Sequence, residues 1–312
     1  MAPKSPFVVV ARTLTRPQAD PAYGTPGRSP WLDMDWPSVT RTATVRGSAV
    51  TYVDLGDGPG DPIVWIHGLG ACWQTWLENL PHFAASHRCI ALDLPGFGAS
   101  PMPAEPISIE RYAAIVDELL RDLGIERAVV VGNSMGGFIA TELAIRFPTV
   151  VSRLVLVSAA VLWQEYRRAR PLVALAQASD AVVGRALVDS TPILISRPRL
   201  RAAALAFGGF HLPHLLSREL QSELLLTAKR TAGFLPALQA LASFPLRDEL
   251  PEIACPTLVV WGTHDTLVGA EHADELERLI PNSRKVVFER TGHVPMLERP
   301  ERFNAELDAF LR

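Results

Sequence analysis

Ser134 sits in the pentad Gly132-Asn133-Ser134-Met135-Gly136, between the apolar run AVVV that begins at 128 and the helix-like stretch FIATELA that begins at 138. A Gly-x-Ser-x-Gly pattern at a strand-to-helix junction is where a tight turn can lift a hydroxyl clear of a sheet. Glycines on both sides let neighbouring backbone pass where a side chain would collide. The pentad alone also fits an ordinary turn with a serine N-cap. What separates the two readings is the rest of the chemistry, because a serine hydroxyl is a weak nucleophile without a base, and the base needs an orienting acid.

Both partners are expected in loops beyond later strands. After LVVW at 258 comes GTHDTLVGAEH, which places Asp265 just past a strand end. After KVVF at 285 comes ERTGHVPMLERP, which places His293 in the next such loop, followed closely by Pro295, which ends strand pairing. Singly, a loop aspartate reads as a turn residue and a lone histidine as a packed or solvated one. Together, at successive strand ends, they read as acid and base. His264 and His272 are competing histidines beside the acid loop, and Glu165, after an earlier strand, is the reserve acid.

Acyl transfer also requires donors for a developing oxyanion. The N–H of Met135, at the start of a helix, is one candidate. The other is Leu69 in HGLGACWQTW, with Gly68 and Gly70 leaving room for substrate. His67 opens that loop and is assigned to shaping it.

These residues need a scaffold that brings strand ends to one edge. Short apolar runs recur at 63 (IVWI), 89 (CIAL), 128, 154 (LVLV), 258 and 286 (VVF). Their unbroken hydrophobicity predicts strands buried on both faces, as in a parallel sheet covered by helices. Helical patterns lie between them. In ISIERYAAIVDELLRDLG, from 107, the apolar residues Tyr112, Ile115, Val116, Leu119, Leu120 and Leu123 fall three or four apart, and Gly124 is placed to end the helix. Upstream, RTATVRGSAVTYVDLGDG alternates around Gly47 and Ser48 and predicts an antiparallel hairpin. The fold class is therefore α/β, a mostly parallel doubly wound sheet whose sites lie beyond the strands' carboxyl ends.

The alternation stops between 157 and 258, where roughly ninety residues, far beyond an ordinary connection, read as helix. This insertion, residues 161–247, is rich in Leu and Ala, contains Trp163, Tyr166, Phe207, Phe210 and Phe234, and is expected to be a helical lid. Residues 1–35 read as an irregular extension, and 36–160 with 248–312 as the core.

Composition narrows the partners. Of the 312 residues, 48% are hydrophobic and 20% charged, enough to bury a large core. A net charge of −3 with no basic run disfavours nucleic acid. Cys72, Cys89 and Cys255 lack metal spacing and form an odd set, which fits a reducing cytoplasm better than a disulfide framework. No run is long and apolar enough to predict a membrane span. The oligomeric state is not legible.

Taken together, HGLG at 67, DLPGFGAS at 93, GNSMGG at 132, WGTHD at 261 and TGHVP at 291 resemble the alpha/beta-hydrolase fold superfamily over residues 40–312. The resemblance implies a Ser134, Asp265, His293 triad in that chain order, an oxyanion hole from the Leu69 and Met135 N–H groups, a lid after the sixth strand, and no metal or organic cofactor. Serine at the turn disfavours the dehalogenases and epoxide hydrolases of that superfamily, which carry aspartate there. Asn133 is similar to the carbon-carbon hydrolases of aromatic-ring degradation, in which Arg167, Arg168 or Arg170 of the lid would bind a substrate carboxylate. Those enzymes usually carry a tryptophan shortly after the histidine, and HVPMLERP has none. The expected substrate is thus a small hydrophobic ester. A non-catalytic small-molecule-binding protein of the same fold is the reading from another class.

Overall fold

A computed structural model of the chain describes residues 20–162, 192–193, 195–227 and 231–312. Eight strands form one sheet: β1 (Thr40–Val45), β2 (Ser48–Leu55), β3 (Gly60–Ile66), β4 (His87–Leu92), β5 (Ala128–Asn133), β6 (Val151–Val157), β7 (Thr257–Gly262) and β8 (Ser283–Phe288). Their order is β1-β2-β4-β3-β5-β6-β7-β8. β2 pairs antiparallel with both β1 and β4, and every later pairing is parallel. Every residue of β5 and of β7 is buried, which is why those runs carry no polar alternation.

The expected hairpin is present, with its turn one residue earlier than the sequence reading placed it. Val45 pairs with Ser48, so the turn residues are Arg46 and Gly47, at φ 49° and 74°. A two-residue turn of this kind needs positive φ at both positions, and the glycine supplies the second. Ser48 is therefore the first residue of β2.

The helix Ile109–Asp122 begins at Ser108, whose hydroxyl accepts from the Arg111 N–H at 3.2 Å. It ends as its glycine implies. Gly124, at φ 69°, donates to Arg121 O at 3.0 Å and Ile125 donates to Leu120 O at 2.8 Å, closing the last carbonyls. Its apolar face joins the helix Met135–Arg146 over one side of the sheet. The other side is covered by aromatic packing around Trp65, Trp76, Phe83 and Phe303.

The insertion between β6 and β7 is helical where it is described, with helices Pro198–Phe207, Arg218–Thr227 and Phe234–Ser243. Trp163, Glu165, Tyr166, Arg167, Arg168 and Arg170 lie outside the described residues. No helix among the described residues is long and apolar enough to cross a membrane.

From Asp20 onward the N-terminal segment carries a single turn of 3-10 helix, Pro30–Asp33, and packs onto the core. Tyr23, Ser29 and Trp31 are buried, because their polar atoms reach two buried carboxylates. Glu78 accepts from Thr25 Oγ1 at 2.6 Å, Ser29 Oγ at 2.8 Å and Trp31 Nε1 at 3.0 Å, and Glu298 accepts from Tyr23 Oη at 2.5 Å. Residues 20–35 are thus continuous with the core.

Candidate active site

Ser134 follows the central strand β5 with φ 54° and ψ −115°, a backbone state that L-residues reach only under constraint. The constraint is crowding. A methyl on Gly132 would lie 2.2 Å from Gly136 O, and one on Gly136 would lie 2.1 Å from Ile66 O. The Ser134 N–H donates to Val157 O at 2.9 Å, and Ala160 N donates to Ser134 O at 3.0 Å, so β6 and the loop after it fix the turn. Its side chain is half-buried among buried neighbours.

Asp265 and His293 meet. His293 Nδ1 and Asp265 Oδ2 are 2.8 Å apart, and both residues are buried. The other carboxylate oxygen, Oδ1, accepts from the N–H groups of Leu267 and Val268, each at 2.9 Å. An acceptor-only carboxylate on Nδ1 places the ring proton there and leaves Nε2 as the basic nitrogen.

Ser134 is tied to the histidine loop through its neighbour. Asn133 Nδ2 donates to Val157 O at 3.1 Å and to His293 O at 3.2 Å. This accounts for an amide at that position: one side chain fastens the serine turn to both β6 and the residue carrying the imidazole. No hydrogen bond joins the serine hydroxyl to the ring in this structure. The local sequence held no signal for this bridge, since its partner is 160 residues away.

The loop after β3 lies against the same turn. A methyl on Gly68 would come 3.1 Å from both Ser134 Cβ and Asn133 Oδ1. Among the described residues none accepts the N–H of Leu69 or Met135. Met135 opens its helix, where unpaired N–H groups and the dipole favour negative charge. His67 is fully buried and acts as the expected spacer: its Nε2 accepts from Leu94 N at 3.0 Å, and Nδ1 lies 2.8 Å from Gly68 O. Burial pushes its pKa down to about 4, so it is neutral at pH 7. Asp93 braces the facing loop, accepting from Trp73 N at 2.9 Å and Ala99 N at 2.8 Å.

The competing histidines have other surroundings. The His264 ring lies against His211 of the insertion, with centroids 4.0 Å apart, and His272 is buried in the helix Glu271–Leu279. Among the described residues no cluster of His, Cys, Asp and Glu could hold a metal ion. Apolar side chains flank the loop after β3: Phe234 stands over Gly70, where a methyl would meet its ring at 3.3 Å, and Leu69 is half-buried. A separate groove of about 670 Å³ runs between residues 102–110 and the helix Phe234–Ser243, and none of Ser134, Asp265 or His293 lines it.

Comparison with known proteins agrees with the fold. Residues 61–300 match the family model described as the alpha/beta hydrolase fold. A pimeloyl-[acyl-carrier protein] methyl ester esterase of Aeromonas hydrophila is 31% identical over 266 residues, covering 81% of this chain and 96% of that protein. An uncharacterized protein of Mycobacterium tuberculosis is 30% identical over 285 residues, 88% of this chain and 82% of its own. A solved enzyme described as degrading N-acyl homoserine lactone superposes with a TM-score of 0.68 at 26% identity, over 86% of this chain and 100% of that one. The chain belongs to the alpha/beta hydrolase fold family and is an esterase-like hydrolase.

Proposed function

We propose that the protein hydrolyses a carboxylic ester with a hydrophobic acyl or alkyl group, through an acyl-enzyme on Ser134. The observation that carries this reading is the buried Asp265–His293 pair, held by Asn133 against the serine turn. Ser134 Oγ attacks the ester carbonyl carbon while His293 Nε2 takes its proton, after a side-chain rotation that closes the hydroxyl onto the ring. Asp265 holds the Nδ1 proton and stabilises the imidazolium. The N–H groups of Leu69 and Met135 stabilise the tetrahedral oxyanion, and the imidazolium then protonates the leaving alkoxide. Water repeats the sequence against the acyl-serine and frees the acid.

Leu69 and Phe234, on and over the loop that touches the serine turn, support an apolar substituent, since each buried CH₂ contributes roughly 0.8 kcal/mol. The insertion, residues 161–247, acts as the lid over this surface and contributes Phe234 to it. The relatives named above include one that acts on a methyl ester and one that degrades a lactone, both acyl-oxygen substrates. The test is hydrolysis of nitrophenyl esters of increasing acyl length by wild type and Ser134→Ala. The reading expects turnover that rises with chain length and disappears in the variant; equal rates for the two proteins would defeat it.

A further inference from the structure

Glu298 is fully buried, yet its carboxylate gathers donors from three separate parts of the chain. Gly292 N donates to Oε1 at 2.9 Å and Val294 N to the same oxygen at 3.4 Å; these are the two neighbours of His293. From the insertion, His211 N donates to Oε2 at 3.0 Å. From the N-terminal segment, Tyr23 Oη donates to Oε2 at 2.5 Å, and that same phenol oxygen accepts from Leu212 N at 2.8 Å. Tyr23 is itself held in place: the Arg299 guanidinium lies 5.2 Å from its ring centroid and binds both oxygens of Asp20, at 2.8 and 2.7 Å.

These contacts bracket the backbone of His293. The His293 N–H donates to Gly209 O at 2.9 Å. A methyl on Gly209 would lie 2.7 Å from His293 Cβ, and one on Gly292 would lie 2.1 Å from Gly209 O, so the two backbones meet with no slack. A carboxylate taken out of water is costly unless donors surround it, and here the donors are backbone groups whose positions matter to the site. Burial pushes the Tyr23 phenol well above its usual range, which keeps its proton available to the carboxylate.

We propose that Glu298 and Tyr23 form a positioning pair that sets His293 and fastens residues 209–212 of the insertion against it, making Tyr23, alone of the N-terminal segment's anchors, part of the working site. The pair acts through His293 and touches no reacting atom. The proposal rests on the hydrolytic reading for its kinetic consequence, and on the geometry alone for its effect on the imidazole.

The experiment compares wild type with Tyr23→Phe, Glu298→Gln and the double variant on nitrophenyl butyrate. Ser29→Ala, which loosens the Glu78 anchor away from the histidine loop, is the control. Tyr23→Phe keeps the ring and deletes one hydroxyl. A histidine displaced by a fraction of an ångström is expected to cost about tenfold in kcat with KM held within about twofold. The double variant is expected to be no slower than Glu298→Gln alone, because residues acting as one unit are not additive. Ser29→Ala is expected to lower Tm and leave kcat unchanged. The downfield Nδ1 proton signal of His293, assigned by its loss in His293→Gln, is expected to shift upfield in Tyr23→Phe as the Asp265 contact loosens.

If Tyr23→Phe lowers Tm but leaves kcat and the Nδ1 proton signal unmoved, the pair is merely structural and the proposal falls. Fully multiplicative losses would also overturn it. Absence of turnover by wild type would sink the hydrolytic reading, while the Nδ1 proton signal would still decide the pair. Should Glu298→Gln fail to fold, Tyr23→Phe carries the decision through its kinetics and the Nδ1 proton signal.

Discussion

Replacing Asp265 by asparagine tests the proposed role of the acid with little change of shape. Asp265 Oδ1 already accepts from two backbone N–H groups, Leu267 and Val268, both at 2.9 Å. If the new amide put its NH₂ there, three donors would face one another, at about 1–3 kcal/mol for each buried group left unpaired. The amide oxygen therefore keeps that place and the NH₂ turns toward His293 Nδ1, which lies 2.8 Å from the carboxylate in wild type. An NH₂ there can only donate, so Nδ1 must accept and the ring proton moves to Nε2. The nitrogen that should take the serine proton then carries one already. A wrong tautomer of this kind costs about 10⁴-fold in kcat in a serine-protease triad, or about 5 kcal/mol of barrier. The assay is kcat on nitrophenyl butyrate for Asp265→Asn beside a thermal unfolding curve. The expected result is a loss of about that size with Tm close to wild type, since the backbone contacts of Oδ1 survive. A loss below tenfold in a folded variant would refute the assignment of Asp265 as the orienting acid.

Other outcomes follow from the same geometry. Gly136→Ala would drive a methyl to 2.1 Å from Ile66 O and 2.6 Å from His67 O, both backbone atoms. It is therefore expected to lower Tm and to cut kcat/KM severely by parting the serine turn from the oxyanion loop, measured by calorimetry and ester turnover. Asn133→Ala leaves the His293 carbonyl without its donor, while Val157 O keeps the Ser134 N–H, with an expected loss of about 1–3 kcal/mol in urea unfolding and a lower kcat at similar KM. The neutral His67 makes stability depend on pH. Its folded pKa of about 4 lies below the ordinary histidine value of 6.5, so the unfolded chain takes the proton first as pH falls. This contribution is fully present above pH 6.5 and is lost progressively toward pH 4, by about 3 kcal/mol in all. Urea unfolding from pH 7 to pH 4 should show that slope, flattened in a folded His67→Asn variant.

The strands were legible because a doubly covered sheet requires unbroken apolar runs, and each of the six recognised runs lies inside a strand. The hairpin was legible to within one residue: alternation marks its strands, but whether glycine takes the first or second turn position depends on pairing register. Asp265 and His293 could be singled out because successive strand ends bring their loops together, and chain order carries that information. Glu298, Glu78 and Tyr23 could not be recognised, as their partners come from segments up to 275 residues away and no periodicity encodes a buried carboxylate's donors. The same holds for Asn133, whose meaning lies in a carbonyl of a distant loop. Residues 20–35 read as an extension because a segment without helix or strand period gives no sign that Tyr23 and Trp31 have buried acceptors waiting.

The central claim is that Ser134 becomes covalently acylated. The direct measurement is peptide mass spectrometry of the whole chain after brief exposure to a fluorophosphonate, with wild type, Ser134→Ala and Asp265→Asn treated in parallel. The account predicts one adduct on the peptide carrying Ser134 in wild type, none there in Ser134→Ala, and slow labelling in Asp265→Asn. An unlabelled Ser134 in folded wild type, or equal labelling of another serine in Ser134→Ala, would contradict it.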